Sequence, residues 1–157
     1  TDIASAIGLH QLRRAEAMRR RREEIASIYA ERLAGVDEIE LPAVVGDPRL
    51  ADVEHAWHLF QIRLREGALA IDRDAFLDAL RARGVGYSVH WRPLHLHPYW
   101  SETFGWRPEH LPTASAVWCR TVTLPLFPTM RGDEIDRVVD AVTDLCRRHR
   151  RPVAAGV

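Results

Sequence analysis

The fold of this chain is decided by residues 58–65, which read His-Leu-Phe-Gln-Ile-Arg-Leu-Arg. Apolar and polar side chains alternate there with the two-residue period of a β-strand that is buried on one face. By this parity His58 lies on the apolar face, where it is either a core histidine with bonded ring nitrogens or part of a site. A strand that buries one face must be covered by a second layer of structure, and the sequence shows helical patterns both before and after this strand.

Those helical patterns have recognisable ends. Residues 3–33 contain no proline and only one glycine, and their apolar residues recur at helical spacing, which predicts one long helix or two in tandem, ended by Gly35. Asp72 is the predicted N-cap of a further helix, and Gly84 is its stop. The remaining predicted helices cover residues 99–104, 113–120 and 133–148.

A second strand is predicted over residues 85–92. Apolar residues occupy its odd positions and end at Trp91, whereas His90 and Arg92 lie on the opposite, polar face. An imidazole and a guanidinium on one polar face are well placed to bind a carboxylate or a phosphate group.

Together these elements predict an α+β fold, with helices on one face of a short, mostly antiparallel sheet. A flexible tail and a hinge are expected where the periodic patterns stop. The predicted division is a connecting helical segment over residues 1–35, a hinge or loop over 36–53, a small α+β domain over 54–149 and a flexible tail over 150–157.

Charge and composition argue against several kinds of partner. The chain has 22 basic and 22 acidic residues, so no overall field attracts a polyanion, and we expect neither nucleic acid nor a membrane as a partner. Residues 1–4 lack the features of a signal peptide, and no apolar stretch has the length of a bilayer span. Cys119 and Cys146 form no disulfide framework, which is typical of a cytoplasmic protein.

All 22 lysine-plus-arginine positions are arginine, and the chain has no lysine. Chemistry that depends on a lysine amine therefore cannot occur within it. The sequence also begins without methionine, so we expect it to start inside a longer protein.

Three imidazoles, a guanidinium and three aromatic rings are concentrated in residues 90–100, His-Trp-Arg-Pro-Leu-His-Leu-His-Pro-Tyr-Trp. His95 and His97, with His90 nearby, could supply three nitrogen ligands to zinc. The loop holds no carboxylate to complete or orient such a set, so a metal-dependent hydrolase is the weaker hypothesis. Since no nucleophile elbow, glycine-rich phosphate loop or carboxylate pair accompanies the histidines, the stretch offers binding groups without a visible reaction centre.

Four segments resemble the C-terminal part of the DegT/DnrJ/StrS sugar aminotransferases, which are fold type I enzymes that use pyridoxal phosphate. They are Thr-Asp-Ile-Ala-Ser-Ala-Ile-Gly-Leu-His-Gln-Leu at 1–12, His-Ala-Trp-His-Leu-Phe at 55–60, Val-His-Trp-Arg-Pro-Leu-His-Leu-His-Pro-Tyr at 89–99 and Leu-Pro-Leu-Phe-Pro-Thr-Met at 124–130. They stand in the family's order and span nearly all of the chain.

This resemblance implies that the intact enzyme transfers an amino group from an amino acid, which we expect to be glutamate, to a nucleotide-linked keto sugar. It also implies a homodimer and an upstream large domain, missing here, whose lysine binds pyridoxal phosphate. We therefore expect this chain alone to contain no catalytic residue, to bind neither cofactor nor metal, and to be inactive.

The family pattern, together with the polar strand face, assigns substrate contacts. The assigned residues are His58, His90, Arg92, His95 and Tyr99. The chain departs from the pattern at His97, where the family commonly has glutamine, and at residues 131–132, where a Thr-Asp helix start is common. The first departure is expected to shift substrate contacts, and the second only to weaken a cap.

Two further readings of the sequence stay open. The chain could be a stand-alone binding or regulatory remnant, or one half of a split enzyme whose cofactor domain is encoded separately. Both account for binding groups without a reaction centre.

Overall fold

The computed structural model describes residues 1–44, 48 and 52–152. Its helices are α1 (Asp2–Leu33), α2 (Arg73–Ala82), α3 (Pro98–Phe104), α4 (Pro112–Trp118) and α5 (Gly132–His149). Its strands are β1 (Ile39–Glu40), β2 (Phe60–Leu64) and β3 (Thr121–Leu124). Single 3₁₀-helical turns cover Leu94–Leu96 and Pro108–His110. Within this part of the chain, none of the helices combines the length and the apolar character that a bilayer crossing requires.

The strands pair as one antiparallel sheet in the order β1-β2-β3. Phe60 lies opposite Leu124 and Ile62 opposite Val122, and all four are buried. Because side chains alternate along a strand, this register gives the sheet one apolar and one polar face. The predicted α+β fold and the strand in residues 58–65 are confirmed, although the strand begins at Phe60.

Three long helices supply the core that covers the apolar face. The buried residues are Ile25, Ala26, Tyr29 and Leu33 from α1, Phe76, Leu77 and Leu80 from α2, and Ile135, Val138, Val139, Ala141, Val142, Leu145 and Cys146 from α5. Tyr29 ties α1 to the sheet, since its hydroxyl donates to the Pro125 carbonyl at 2.8 Å and its ring meets Phe60 edge-on at 5.2 Å between centroids. Burial raises the pKa of the Tyr29 hydroxyl.

The helix ends follow local chemistry. α1 is one continuous helix, and its first 16 residues, 2–17, are exposed. At α2, Asp72 Oδ1 accepts from the Ala75 N–H at 2.8 Å, and Gly84, with φ of +71°, leaves the helix through the left-handed region that glycine enters without strain. Arg131 is the N-cap of α5. Its side chain makes no cap hydrogen bond, but the Glu134 carboxylate accepts from the Arg131 N–H at 2.8 Å.

The placement of His58 on the apolar face is wrong. Its side chain is exposed, and Trp57 is buried in its stead, with its ring stacked on Phe60 at 5.6 Å between centroids. Trp57 has φ of +45°, in the left-handed region, so the two-residue period does not extend back through it.

The predicted strand over residues 85–92 is reduced to a single bridge between Ser88 and Thr123. Val85 is buried as expected, but Trp91 is 75% exposed. Alternation predicts which face of a sheet a side chain occupies only where hydrogen bonds to a neighbouring strand keep the backbone extended. Here this pairing does not continue past Ser88, so the parity of Trp91 does not decide its burial.

Two segments predicted to lack regular structure form backbone β-pairs with other parts of the chain. The hinge over residues 36–53 contains β1, where Ile39 pairs with Leu64, while positions 45–47 and 49–51 lie outside the described residues. The tail over 150–157 begins with Arg150, which bridges Leu69 and forms an ion pair with the buried Glu38. Residues 153–157 lie outside the described part.

The two thiols should differ sharply in reactivity. Cys119 is exposed, whereas Cys146 is buried in α5, and this burial raises its pKa to about 12. Since the thiolate is the nucleophile, we expect Ellman's reagent at about pH 8 to label one thiol rapidly in the folded chain and the other only on unfolding. Cys119→Ser should abolish the rapid phase. Rapid labelling that survives this substitution would contradict the packing of α5.

The contact between α2 and α5 should depend on pH through Asp144. Asp144 accepts from Arg83 at 3.0 Å, and this contact, with Arg148 and Arg147, lowers its pKa from 3.8 to about 2. A depressed carboxyl pKa stabilises the fold above the unfolded value, and that stability is lost as pH falls through the folded value. Asp144→Asn should therefore lower the urea midpoint above pH 3.8, and the difference should shrink as pH falls to about 2 and vanish below it.

Asp78→Asn is the matched control, because among the described residues this exposed carboxylate pairs only with its helix neighbour Arg81, at 3.5 Å. Its urea midpoint should track that of the parent chain at every pH. Equal urea midpoints for Asp144→Asn and the parent chain at neutral pH would contradict the predicted link between the lowered Asp144 pKa and the stability of the fold.

Candidate functional site

The polar face of the sheet provides the platform of the candidate site. Gln61 lies opposite Thr123 and Arg63 opposite Thr121. Arg63 is engaged by Glu40 of β1 at 3.0 Å, and the Thr121 hydroxyl donates to the Val117 carbonyl at 2.8 Å. Gln61 and Thr123 are left to bond the chain that follows α2.

His90 is held on this platform by two hydrogen bonds from two strands. Its Nδ1 lies 3.0 Å from Thr123 Oγ1, and its carbonyl accepts from Gln61 Nε2 at 2.7 Å. The ring is half-buried. The predicted polar orientation of His90 is thus what the structure has, although the single Ser88 bridge replaces the expected strand.

Arg92 lies two residues further on, with its side chain exposed. Its carbonyl accepts from His97 Nε2 at 3.1 Å, so its backbone is fixed while the guanidinium faces solvent. The His97 ring is therefore hydrogen-bonded to the backbone of its own loop.

Three cavities border either His90 or Gln61, one of the residues that hold it. One of 280 Å³ brings His58 and His90 together beside Tyr87. A second, of 520 Å³, places His55 and His58 against Gln61. A third, of 560 Å³, runs between Trp91 and α4.

Arg92, His95 and Tyr99 line none of these three cavities. His95 is only 1% exposed, and its Nε2 lies 2.7 Å from Ser115 Oγ in α4. Tyr99 is 65% exposed at the start of α3, edge-on to Trp100 at 5.5 Å between centroids. The structure therefore brings His58 and His90 together, leaves Arg92 and Tyr99 on the surface, and buries His95.

Several residues that shape the site were not singled out from the sequence. Thr123 and Gln61 could have been found from strand parity, since both fall on polar positions of short alternating runs. Ser115, which bonds His95, and His110, which lines the cavity beside Trp91, carry no such signal. Their positions depend on how the chain returns after α3.

The described residues do not form the histidine-ligated zinc site that the weaker hypothesis requires. Outside the masked positions, no three His, Cys, Asp or Glu side chains come together as possible ligands. His90, His95 and His97 instead bond to Thr123, Ser115 and the Arg92 carbonyl. The metal-hydrolase hypothesis therefore has no donor set in this part of the chain.

Comparison with known proteins gives consistent matches. The model of the DegT/DnrJ/EryC1/StrS aminotransferase family matches residues 1–143. The uncharacterized protein MJ1066 of Methanocaldococcus jannaschii is 40% identical, over 96% of this chain and 38% of that protein. The spore coat polysaccharide biosynthesis protein SpsC of Bacillus subtilis is 37% identical, over 93% of this chain and 36% of that protein.

A solved structure agrees with the sequence matches. Spr1654 of Streptococcus pneumoniae, assigned as a sugar aminotransferase and solved in its PLP-form, superposes with a TM-score of 0.82 at 28% identity, over 94% of this chain and 36% of that one. The chain spans a little over a third of the length of the curated relatives it matches. By its sequence and its fold, the chain belongs to the DegT/DnrJ/EryC1/StrS aminotransferase family.

Proposed function

We propose that this chain is the C-terminal part of a pyridoxal-phosphate-dependent sugar aminotransferase, which moves an amino group from glutamate to a nucleotide-linked keto sugar. The observation that carries the proposal is the His90 loop, fixed to the polar sheet face by Thr123 and Gln61 in a chain of this family. The proposal includes the division after residues 35, 53 and 149, a cytoplasmic homodimer, and a large domain outside residues 1–157.

The chain's own residues do not fit the cofactor. In this class of enzyme pyridoxal phosphate supplies the electron sink for the amino transfer, and a lysine amine holds it. The chain has no lysine. We therefore assign it no catalytic residue and limit its part to substrate contact and closure over a site completed elsewhere.

Arg92 is proposed as the main anion contact. Its guanidinium is exposed on a loop whose backbone is held at the Arg92 carbonyl. A guanidinium can bind two phosphate oxygens at once, which suits a sugar nucleotide. An arginine on a fixed backbone loses less conformational freedom on binding than one on a mobile loop.

His90 and His58 are proposed to contact the substrate across their shared cavity of 280 Å³. Because Nδ1 of His90 is used by Thr123, Nε2 is the ring atom left to meet a hydroxyl or a phosphate oxygen. Tyr99 is proposed as a contact at the outer edge, where its side chain is exposed.

The decisive test is to express the complete reading frame that encodes this chain and to assay it with pyridoxal phosphate, glutamate and a panel of UDP- and dTDP-linked keto sugars. We expect release of 2-oxoglutarate from the complete product and none from residues 1–157 alone. If the frame encodes no lysine-bearing domain, a separately encoded partner should restore turnover, which identifies a split enzyme. No turnover in either case would leave the binding or regulatory remnant as the better account.

Arg92→Ala should raise KM for the sugar nucleotide by about ten- to a hundredfold, the cost of losing a charge-assisted contact. The kcat should change little, since uniform binding is lost rather than a contact made only in the transition state. Arg92→Lys should recover part of the loss because it keeps the charge but not the paired donors. Arg65→Ala, at an exposed arginine beyond β2, is the control, and an equal effect there would contradict a specific contact by Arg92.

A further inference from the structure

Ser115 joins three parts of the chain at one hydroxyl group. Its Oγ lies 2.7 Å from His95 Nε2 and 3.0 Å from the carbonyls of both Pro108 and Leu111. His95 belongs to the turn Leu94–Leu96, Pro108 to the turn Pro108–His110, and Ser115 itself to α4. One side chain thus ties the histidine-rich loop, the second turn and the helix together.

The hydrogen-bond inventory assigns the His95 tautomer. A serine hydroxyl has one hydrogen and two lone pairs, and a carbonyl oxygen only accepts. Two carbonyl oxygens at 3.0 Å from Ser115 Oγ favour a hydroxyl hydrogen that points towards them, and with that orientation His95 Nε2 donates to Ser115 Oγ. Nδ1 of His95 then carries a lone pair, and it is buried with no hydrogen-bond partner among the described residues.

The hydrogen bond between His95 and Ser115 fixes one end of the segment that presents the proposed contacts. The other end is fixed at His90 by Thr123 and Gln61. Arg92 lies between the two ends, followed by Pro93, whose ring restricts its backbone. With both ends bonded, the segment has little freedom to move Arg92 away from the sheet.

We infer that His95 is a positioning residue: its Nε2–H bond to Ser115 holds the loop that presents His90 and Arg92, and its ring does not touch the substrate. This differs from the contact that the family resemblance assigned to His95. The description of the other two residues as substrate contacts rests on the proposed function, whereas the bond between His95 and Ser115 rests on geometry alone.

The tautomer is tested in the full 157-residue chain labelled with ¹⁵N-histidine, by long-range ¹H–¹⁵N correlation of the imidazole rings. We expect a protonated Nε2 and a bare Nδ1 for His95, and loss of this signature in Ser115→Ala. Ser115→Thr retains a hydroxyl group and should retain the signature. Ser101→Ala removes an α3 hydroxyl that donates to the Pro98 carbonyl, and it should leave His95 unchanged.

Amide hydrogen exchange on the same samples reports the hold on the loop. Loss of one hydrogen bond should speed exchange over residues 94–97 by about three- to tenfold in Ser115→Ala. A proton on Nδ1 of His95, or unchanged exchange in Ser115→Ala, would overturn the inference. Neither readout uses a substrate, so the inference can fail while the proposed function stands, and the reverse.

In the complete enzyme, a double-mutant cycle separates positioning from contact. If His95 acts only through Ser115, His95→Ala and Ser115→Ala should raise KM for the sugar nucleotide equally, and the double variant should be no worse than either. His95→Gln places an amide donor near Nε2 and should restore KM. A large effect of His95→Ala with a normal KM in Ser115→Ala would show that the imidazole itself meets the substrate.

Discussion

The pairing of β2 with β3 organises the rest of this chain. Because partners across the two strands share a face, the register that joins Phe60 to Leu124 also joins Gln61 to Thr123. The first pair is covered by helices, and the second bonds the backbone and ring of His90. A slip of one residue would exchange the two faces, so the core and the candidate site depend on the same register.

Sequence pattern was sufficient where an element is decided by its own residues. The alternation in β2, the Asp72 cap and the apolar stripe of α5 are local features, and all three are present. Pattern failed where elements end. Nothing in residues 55–60 signals that Trp57 takes a positive φ and displaces His58 from the apolar face. Nor does alternation reveal that the ladder stops after Ser88, since that depends on contacts made by the loop beyond it.

The candidate site was predictable to the same extent. The polar orientation of His90 agrees with the parity that it shares with Ser88, which bridges to Thr123. Because the ladder stops at Ser88, it is the bonds to Thr123 and Gln61 that hold His90 in this orientation. The burial of His95 does not follow from any local pattern, since its partner Ser115 lies twenty positions away. A family resemblance identifies which residues of a loop match the family's pattern, but it does not show which of their side chains are buried.

His90 and His95, five positions apart in one loop, thus each form a hydrogen bond with a hydroxyl group, but they differ in burial. His90 bonds a threonine hydroxyl on the open face of the sheet and keeps a half-exposed ring, whereas His95 bonds a serine hydroxyl inside and is closed off. A loop that presents side chains to a ligand must itself be held, because ordering it on binding would cost affinity. In the proposed function, the buried His95 therefore holds the half-buried His90, and Arg92 between them, in a fixed geometry for binding.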